Sequence, residues 1–488
     1  MKSPCTRGLL TGLALAGLAG CGGAGSSLFA SGGISGTGLG SVTAFGSIII
    51  NDTREFTIDA STQIFWDGTP ITEAQLMQRG IGAVARIDIG DDVSADFSSG
   101  TAVTIDIGNQ VKGPVTALAP LQVLGQNVLT TADSAQYQDD NPVAGLTLTA
   151  GDEVEVSGFA DNAGIVLAAR IERVTTGLAE WKLVGSAAAP ASSGSFNIGI
   201  QEIAVPGTVT ARNCSGGVVS PGDLVEVKAT PDPLYSAPPD IIATVTDVEC
   251  LAPGLAIPGN ASSTSLRAEI EGLVNSVSPL VIAGQPVTLG AGTVFEGGTQ
   301  ADIGIGAKLE AEGTLDTASG VLSADRIRFR DRRVRIEAPA SLPLGGSFNM
   351  LSVITVNTSA LTADSDGLIA GGSGNRQVEV RGYLDANDAV IATEVRDRGA
   401  ADPGQVRLRG PVGSNTCNPA IVDQDFDILA VLVDTATAAA FADVDGAALQ
   451  EQAFCDLAQS GTFVQAQDAT FNSGPVRIEN AGLIEIED

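Results

Sequence analysis

Acidic side chains are the only groups abundant enough to do chemistry here: 57 Asp and Glu stand against 26 Lys and Arg, and the 488 residues include no histidine. The densest run is Asp423-Gln424-Asp425-Phe426-Asp427. On a strand its three carboxylates share one face, because alternate side chains point the same way. Asp423, Asp425 and Asp427 are therefore the candidate metal ligands, with Ca2+ as the hard cation that would relieve their repulsion. The competing reading is a solvated strand or turn in a chain that is acidic throughout, and the central glycine of an EF-hand loop is missing. Asp443-Val444-Asp445-Gly446, Asp385-Ala386-Asn387-Asp388 and Asp139-Asp140-Asn141 read as Asx turns. Positive charge is concentrated once, in Arg326, Arg328, Arg330, Arg332, Arg333 and Arg335. This cluster is expected to form a solvated strand pair joined at Asp331-Arg332 and ion-paired to neighbouring acids. The functional alternative is partner docking, onto an acidic protein, a lipopolysaccharide phosphate or the acidic face of another copy.

Composition excludes much else. Without histidine there is no Ser-His-Asp or Cys-His catalysis, and no His-ligated zinc, copper or haem. Lys182, Lys228 and Lys308 are scattered, which argues against a Ser–Lys dyad, and no Gly-x-Ser-x-Gly lies on a strand–turn–helix. A glycosidase needs two carboxylates in a cleft with aromatic walls. Aromatics make up only 4% of this chain, and its two tryptophans, Trp66 and Trp181, fall in different units. A core role is expected for Phe65, and edge or interface roles for the tryptophans. The net charge of −31 argues against nucleic acid, whose phosphates need Lys/Arg stripes. No cofactor is expected, Ca2+ aside.

The N-terminus reads as an export signal. Lys2 and Arg7 precede an apolar run from Gly8 to Ala19, too short to span a bilayer and suited to a signal-peptide core. The run ends in Leu18-Ala19-Gly20-Cys21, which resembles the bacterial lipobox. The resemblance implies a signal peptide over 1–20 and lipidation of Cys21 with diacylglycerol and palmitate. Gly22 in place of Asp resembles the signal for passage to the Gram-negative outer membrane. Gly22 to Gly36 is a Gly/Ser/Ala tether, so 21–37 holds the anchor and spacer. Four cysteines then remain, Cys214, Cys250, Cys417 and Cys455, with no C-x-x-C spacing. In an exported chain they read as disulfides, and near-equal separations favour pairing each with its near neighbour.

What must position these residues is a repeated β unit. Beyond residue 38 apolar residues alternate with period two, and Gly, Asp, Asn and Pro punctuate short segments. One phrase recurs: Gly151-Asp152-Glu153-Val154-Glu155-Val156, Gly222-Asp223-Leu224-Val225-Glu226-Val227, Gly306-Ala307-Lys308-Leu309-Glu310-Ala311 and Gln377-Val378-Glu379-Val380, each followed by a final Ile/Val strand. Opening strands of one type precede it, such as Val111-Lys112-Gly113-Pro114-Val115 and Val406-Arg407-Leu408-Arg409-Gly410. The fold class is all-β: a tandem array of about six small OB-like barrels, at 38–109, 110–175, 176–258, 259–331, 332–402 and 403–488. Val is expected inward and Glu outward to solvent, with the final strand pairing back near the opening strand. Opening-strand glycines should mark coiling or bulges. Short helices are expected over 71–80, with Thr72 as N-cap, and within 443–459.

Gly33-Ile34-Ser35-Gly36-Thr37-Gly38, followed by Gly40-Ser41-Val42-Thr43-Ala44-Phe45-Gly46-Ser47-Ile48-Ile49-Ile50-Asn51, resembles the opening of bacterial envelope proteins built from domain of unknown function 5666. Asp52 departs from the Gly usual after that Asn, which implies a different turn. The resemblance implies a lipoprotein of repeated β-barrels and supplies no catalytic residues. The functional expectation is a non-enzymatic envelope protein, held to the membrane by its lipid, that binds a protein or glycan partner or acts as a scaffold. The alternatives are a Ca2+-stabilised adhesion module and a carboxylate-based glycan hydrolase.

Overall fold

The computed structural model describes residues 34–487 apart from short internal stretches, the longest being 189–193 and 416–425. Strands account for 56% and helix for 4%, so the chain is all-β as its period-two pattern predicts. One strand plan recurs. The opening strand pairs antiparallel with the second and the fourth, the third runs parallel to the fifth, and the fourth and fifth pair antiparallel. In barrel 2 these are Val111–Leu118, Leu121–Val123, Gln126–Leu129 (continued by Ala135–Gln138), Glu153–Ala160 and Ile165–Arg173. The ring order 1-2-3-5-4 is that of a five-stranded Greek-key OB barrel. The recurring Glu-Val phrase is thus the fourth strand. It, and not the final strand, pairs with the opening one, so the closure expected from sequence is shifted by one strand.

Barrels 1, 4 and 6 share this plan, opening at Gly36–Phe45, Ser265–Val277 and Val406–Asn415. Barrel 3 opens at Trp181–Ala188, and only single parallel bridges, Ile203 with Ile242 and Arg212 with Glu249, link its third side to its fifth. Barrel 5 opens at Val334–Leu342, which pairs with Gly374–Leu384 and not with Ser347–Met350, leaving that seam open. Two close approaches explain glycines in the pattern. A Cβ on Gly113 of an opening strand would lie 2.4 Å from Leu124, and one on Gly313 of a fourth strand 2.0 Å from the Ser323 carbonyl oxygen, where the ladder shifts register. Barrel 1 carries the helix Glu73–Arg79 with a Thr72/Gln75 capping box, and drops Leu76 into the core. The second helix covers only Glu451–Leu457, burying Phe454; Ala448–Leu449 before it is extended.

The barrels are joined in pairs. Barrels 2 and 3 share one sheet through Lys112 and Leu183-side pairing of their opening strands, barrels 5 and 6 another through residues 335–337 and 407–409, both antiparallel. Barrels 1 and 4, distant in sequence, share the third through a parallel pairing of Gly36–Leu39 with Arg267–Ile270. Pairing corrects the expected solvent-facing glutamates. Glu269, Glu271, Glu310, Glu312 and Glu379 are all buried, because the outer face of one barrel is covered by the next and by arginines. In barrel 1, Ile64 and Trp66 face the core and Phe65 is half-buried, so the core role expected for Phe65 belongs to its two neighbours.

Candidate functional site

The charged residues of the repeats converge on the seams between barrels. At the seam of barrels 2 and 3, Lys112, Lys182 and Lys228 stand in register on three adjacent strands. Like charges directly opposite on a sheet repel. Carboxylates answer them: Glu155 lies 3.1 Å from Lys112, and Glu226 lies 2.8 Å from Lys182 and 3.5 Å from Lys228. The decisive one comes from barrel 1. Asp67, on the turn after Trp66, reaches Lys182 at 2.9 Å and Lys112 at 3.3 Å, and accepts hydrogen bonds from the Asn109 backbone N–H and side chain. Burial alone would raise its pKa, but Lys182, Lys112 and the Asn109 bond hold it at about 2. Asp67 thereby fastens barrel 1 to the 2–3 pair.

The seam of barrels 1 and 4 has the signs reversed. Glu269, Glu310 and Glu312 are buried side by side, and the guanidinium of Arg54, itself buried, bonds all three. Asn51 donates to Glu269 at 2.7 Å. Burial and the Glu310 charge push the Glu269 carboxyl well above its ordinary range. Glu310 is held below its own by Arg330, Arg328 and Arg54, despite burial. Carboxyls driven apart in this way can mark an acid–base pair; here Glu269 is fully buried. At the seam of barrels 5 and 6, buried Glu379 gathers Arg335, Arg381 and Arg398. Burial would raise its pKa; Arg335 and Arg381 bring it to about 2.

Barrels 1 and 2 meet around a stacked guanidinium. Arg170 is fully buried, 4.3 Å from the ring centre of Tyr137 and 5.1 Å from that of Trp66, and donates to the Arg79 carbonyl and to Glu172. Trp66 thus belongs to the core of barrel 1 and also presents its ring to Arg170 of barrel 2, so the interface role expected of it is shared with a core role. Trp181 has the expected interface role: its indole donates to Glu153 of barrel 2 and its ring meets Tyr235 edge-on. Among barrels 1, 2, 4 and 5 lies a cavity of about 350 Å3, with Ser41, Asn51, Phe159, Glu271, Lys308, Arg330 and Tyr383 in its wall. Its polar groups are partnered with one another: Lys308 ion-pairs with Glu271, which also accepts from the backbone and hydroxyl of Ser41 at 2.7 Å. Arg330 donates to the Asn51 carbonyl and to Glu310.

The six arginines singled out in the sequence do not form one patch. Arg326, Arg328 and Arg330 close barrel 4 and pair with Glu296, Glu310 and Glu312, while Arg335 belongs to the opening strand of barrel 5. The strands that carry them do not pair with each other, so the expected strand pair is corrected to strands of two different barrels. Arg332 and Arg333 lie outside the described residues. Cys214 and Cys250 form a disulfide. Asp223 lies beside it, 3.6 Å from the Cys250 sulfur, but sulfurs bonded to each other offer no thiolates to a metal. Cys455 is also disulfide-bonded; Cys417, Cys21, Asp423 and Asp425 lie outside the described residues. Asp427, the described member of the acidic run, accepts hydrogen bonds from the backbone and hydroxyl of Ser414.

Sequence reasoning missed Arg54, Asp67 and the in-register rows. Their signal was present: Lys112, Lys182, Arg335 and Arg409 all occupy the outward position of an opening strand, where solvent was assumed. No helix among the described residues is long and apolar enough to cross a membrane. No curated protein matches the chain. Two stretches, residues 112–172 and 268–328, match the family model described as Domain of unknown function (DUF5666); they coincide with barrels 2 and 4, whereas the resemblance noted in the sequence lay over 33–51.

Proposed function

We propose that the chain is a non-enzymatic scaffold of the bacterial cell envelope, held to the outer membrane by lipid on Cys21, that presents a rigid set of paired barrels to a protein or glycan partner. The observation that carries this reading is the use of charge. Asp67 joins barrel 1 to barrels 2 and 3, and Arg54 joins barrel 1 to barrel 4, which builds an array of barrels held together by charge. The lipobox-like Leu18-Ala19-Gly20-Cys21 supports the anchor. The Ca2+ alternative retains one described ligand, Asp427, already engaged by Ser414.

The test is to label cells with a palmitate analogue and fractionate their envelopes. The wild-type chain should carry label and follow the outer membrane, and Cys21→Ser should lose both. Capture from envelope extracts with the soluble chain lacking Cys21 should then recover a partner. Unlabelled, soluble wild-type protein would reject the anchor. Hydrolysis of glycan abolished by a single Asp or Glu substitution would reject the scaffold.

A further inference from the structure

The seams of barrels 2–3 and 5–6 are built alike and completed differently. On the first, Lys228, Lys182 and Lys112 stand in register across three strands; on the second, Arg381, Arg335 and Arg409 do the same. The lysine row is completed by a carboxylate from another barrel, Asp67, which lies at positive φ on an Asp67-Gly68 turn. Among the described residues no such visitor reaches the arginine row. Glu379 from within the sheet serves Arg335 and Arg381, Glu394 lies 3.9 Å from Arg381, and Glu487 lies 3.3 Å from Arg409. Arg407, one step along the same face, donates only to Gln467 at 3.0 Å; among the described residues it is the one Lys or Arg with no carboxylate at ion-pair distance. Glu337, opposite it in register, leans to Arg335 at 3.9 Å. The Arg335 guanidinium sits below its ordinary pKa, because burial and the charges of Arg407 and Arg381 outweigh Glu379 and Glu337. In a chain of net charge −31, Arg407 thus holds a positive charge here that no described carboxylate pairs with. The row is partly exposed, with 21% of the Arg335 side chain and 14% of the Arg409 side chain reaching solvent.

We propose that the seam of barrels 5 and 6 is a carboxylate-binding site, filled by an acidic turn of a partner protein in the way Asp67 fills the seam of barrels 2 and 3. Arginine forks grip a carboxylate through two parallel hydrogen bonds, which a lysine cannot do. The site therefore holds a ligand that arrives from outside, whereas the lysine seam holds one tethered by the same chain. The inference rests on the barrels alone and does not depend on the lipid anchor.

The test uses the soluble chain lacking Cys21 at low ionic strength, with a cyclic peptide bearing an Asp-Gly turn as the probe and with succinate and inorganic phosphate as competitors. The peptide should bind, succinate should displace it, and added salt should weaken it. Arg407→Gln should weaken binding by about tenfold, the loss of one charge-assisted contact, with only a small change in melting temperature because Arg407 has a single hydrogen bond, to Gln467, to lose. Arg409→Gln should weaken it further. Failure of the peptide to bind, or equal affinity for wild type and both variants, overturns the site. Displacement by phosphate at lower concentrations than by succinate overturns the carboxylate assignment.

Discussion

Replacing Asp67 with asparagine removes one negative charge while keeping size and shape, and the structure sets the size of the effect. The carboxyl is held at about 2 against an ordinary 3.8. At about 1.36 kcal/mol per pKa unit, the folded environment favours the ionised form by roughly 2.5 kcal/mol at neutral pH. A second estimate comes from what is left behind. Lys182 is 5% exposed and would keep Glu226 alone as its ion-pair partner; breaking a buried pair from one side costs about 3–5 kcal/mol. Asp67→Asn should therefore destabilise the barrel 1–2–3 assembly by about 2.5–4 kcal/mol at pH 7. Trp66 adjoins Asp67 and Trp181 adjoins Lys182, so urea unfolding followed by tryptophan fluorescence reads the affected seam. An acid whose folded pKa is lowered contributes stability above its unfolded value, and that contribution fades as pH falls toward the folded one. The gap between wild type and variant should be full at pH 5–7 and close between about pH 4 and 2. A double-mutant cycle with Lys182→Met should return a coupling energy above about 1 kcal/mol. A gap under about 0.5 kcal/mol at pH 7, or one that persists unchanged at pH 2, would refute the seam argument.

Other perturbations follow from the same contacts. Arg54→Met leaves Glu269, Glu310 and Glu312 buried without their shared cation and should cost about 3–5 kcal/mol at pH 8 in urea unfolding; because the Glu269 carboxyl already favours its proton, part of that loss should return by pH 5. Arg170→Lys exchanges a planar, stacked guanidinium for a point charge and should cost about 1–2 kcal/mol, with a shift in Trp66 emission. Cys214→Ser opens a loop of sequence separation 36 and should cost roughly 3–4 kcal/mol, and reductant should destabilise wild type by more than this, because it also opens the bond at Cys455. Gly313→Ala places a methyl against the Ser323 carbonyl and should lower the thermal midpoint of barrel 4 by more than Gly207→Ala, where nothing lies within 4 Å.

Much of a single barrel is legible in the sequence because it is local. The Val-Glu-Val alternation of residues 154–156 fixes which side faces the core, and Thr72 with Gln75 fixes the start of the first helix. Near-neighbour pairing of Cys214 with Cys250 follows from their separation. The helix expected within 443–459 is shorter because Ala448–Leu449 pairs with Phe441–Ala442, itself drawn into the sheet beside Leu483–Ile486 from the far end of the chain. The charged rows were invisible for a related reason. Period two says that Lys112 and Lys182 point away from their own cores, but not that their strands lie side by side.

By itself, then, the sequence determined the module: alternation sets the faces, glycines set the close approaches, and composition removes histidine chemistry. Tertiary structure decided what the outward faces meet. Which barrel pairs with which, whether Glu269 is solvated or buried, and why Asp67 answers two lysines 45 and 115 positions away depend on contacts between segments far apart in the chain. Such contacts are set by the fit of whole barrels and by the need to neutralise buried charge, and neither is encoded in the spacing of neighbouring residues.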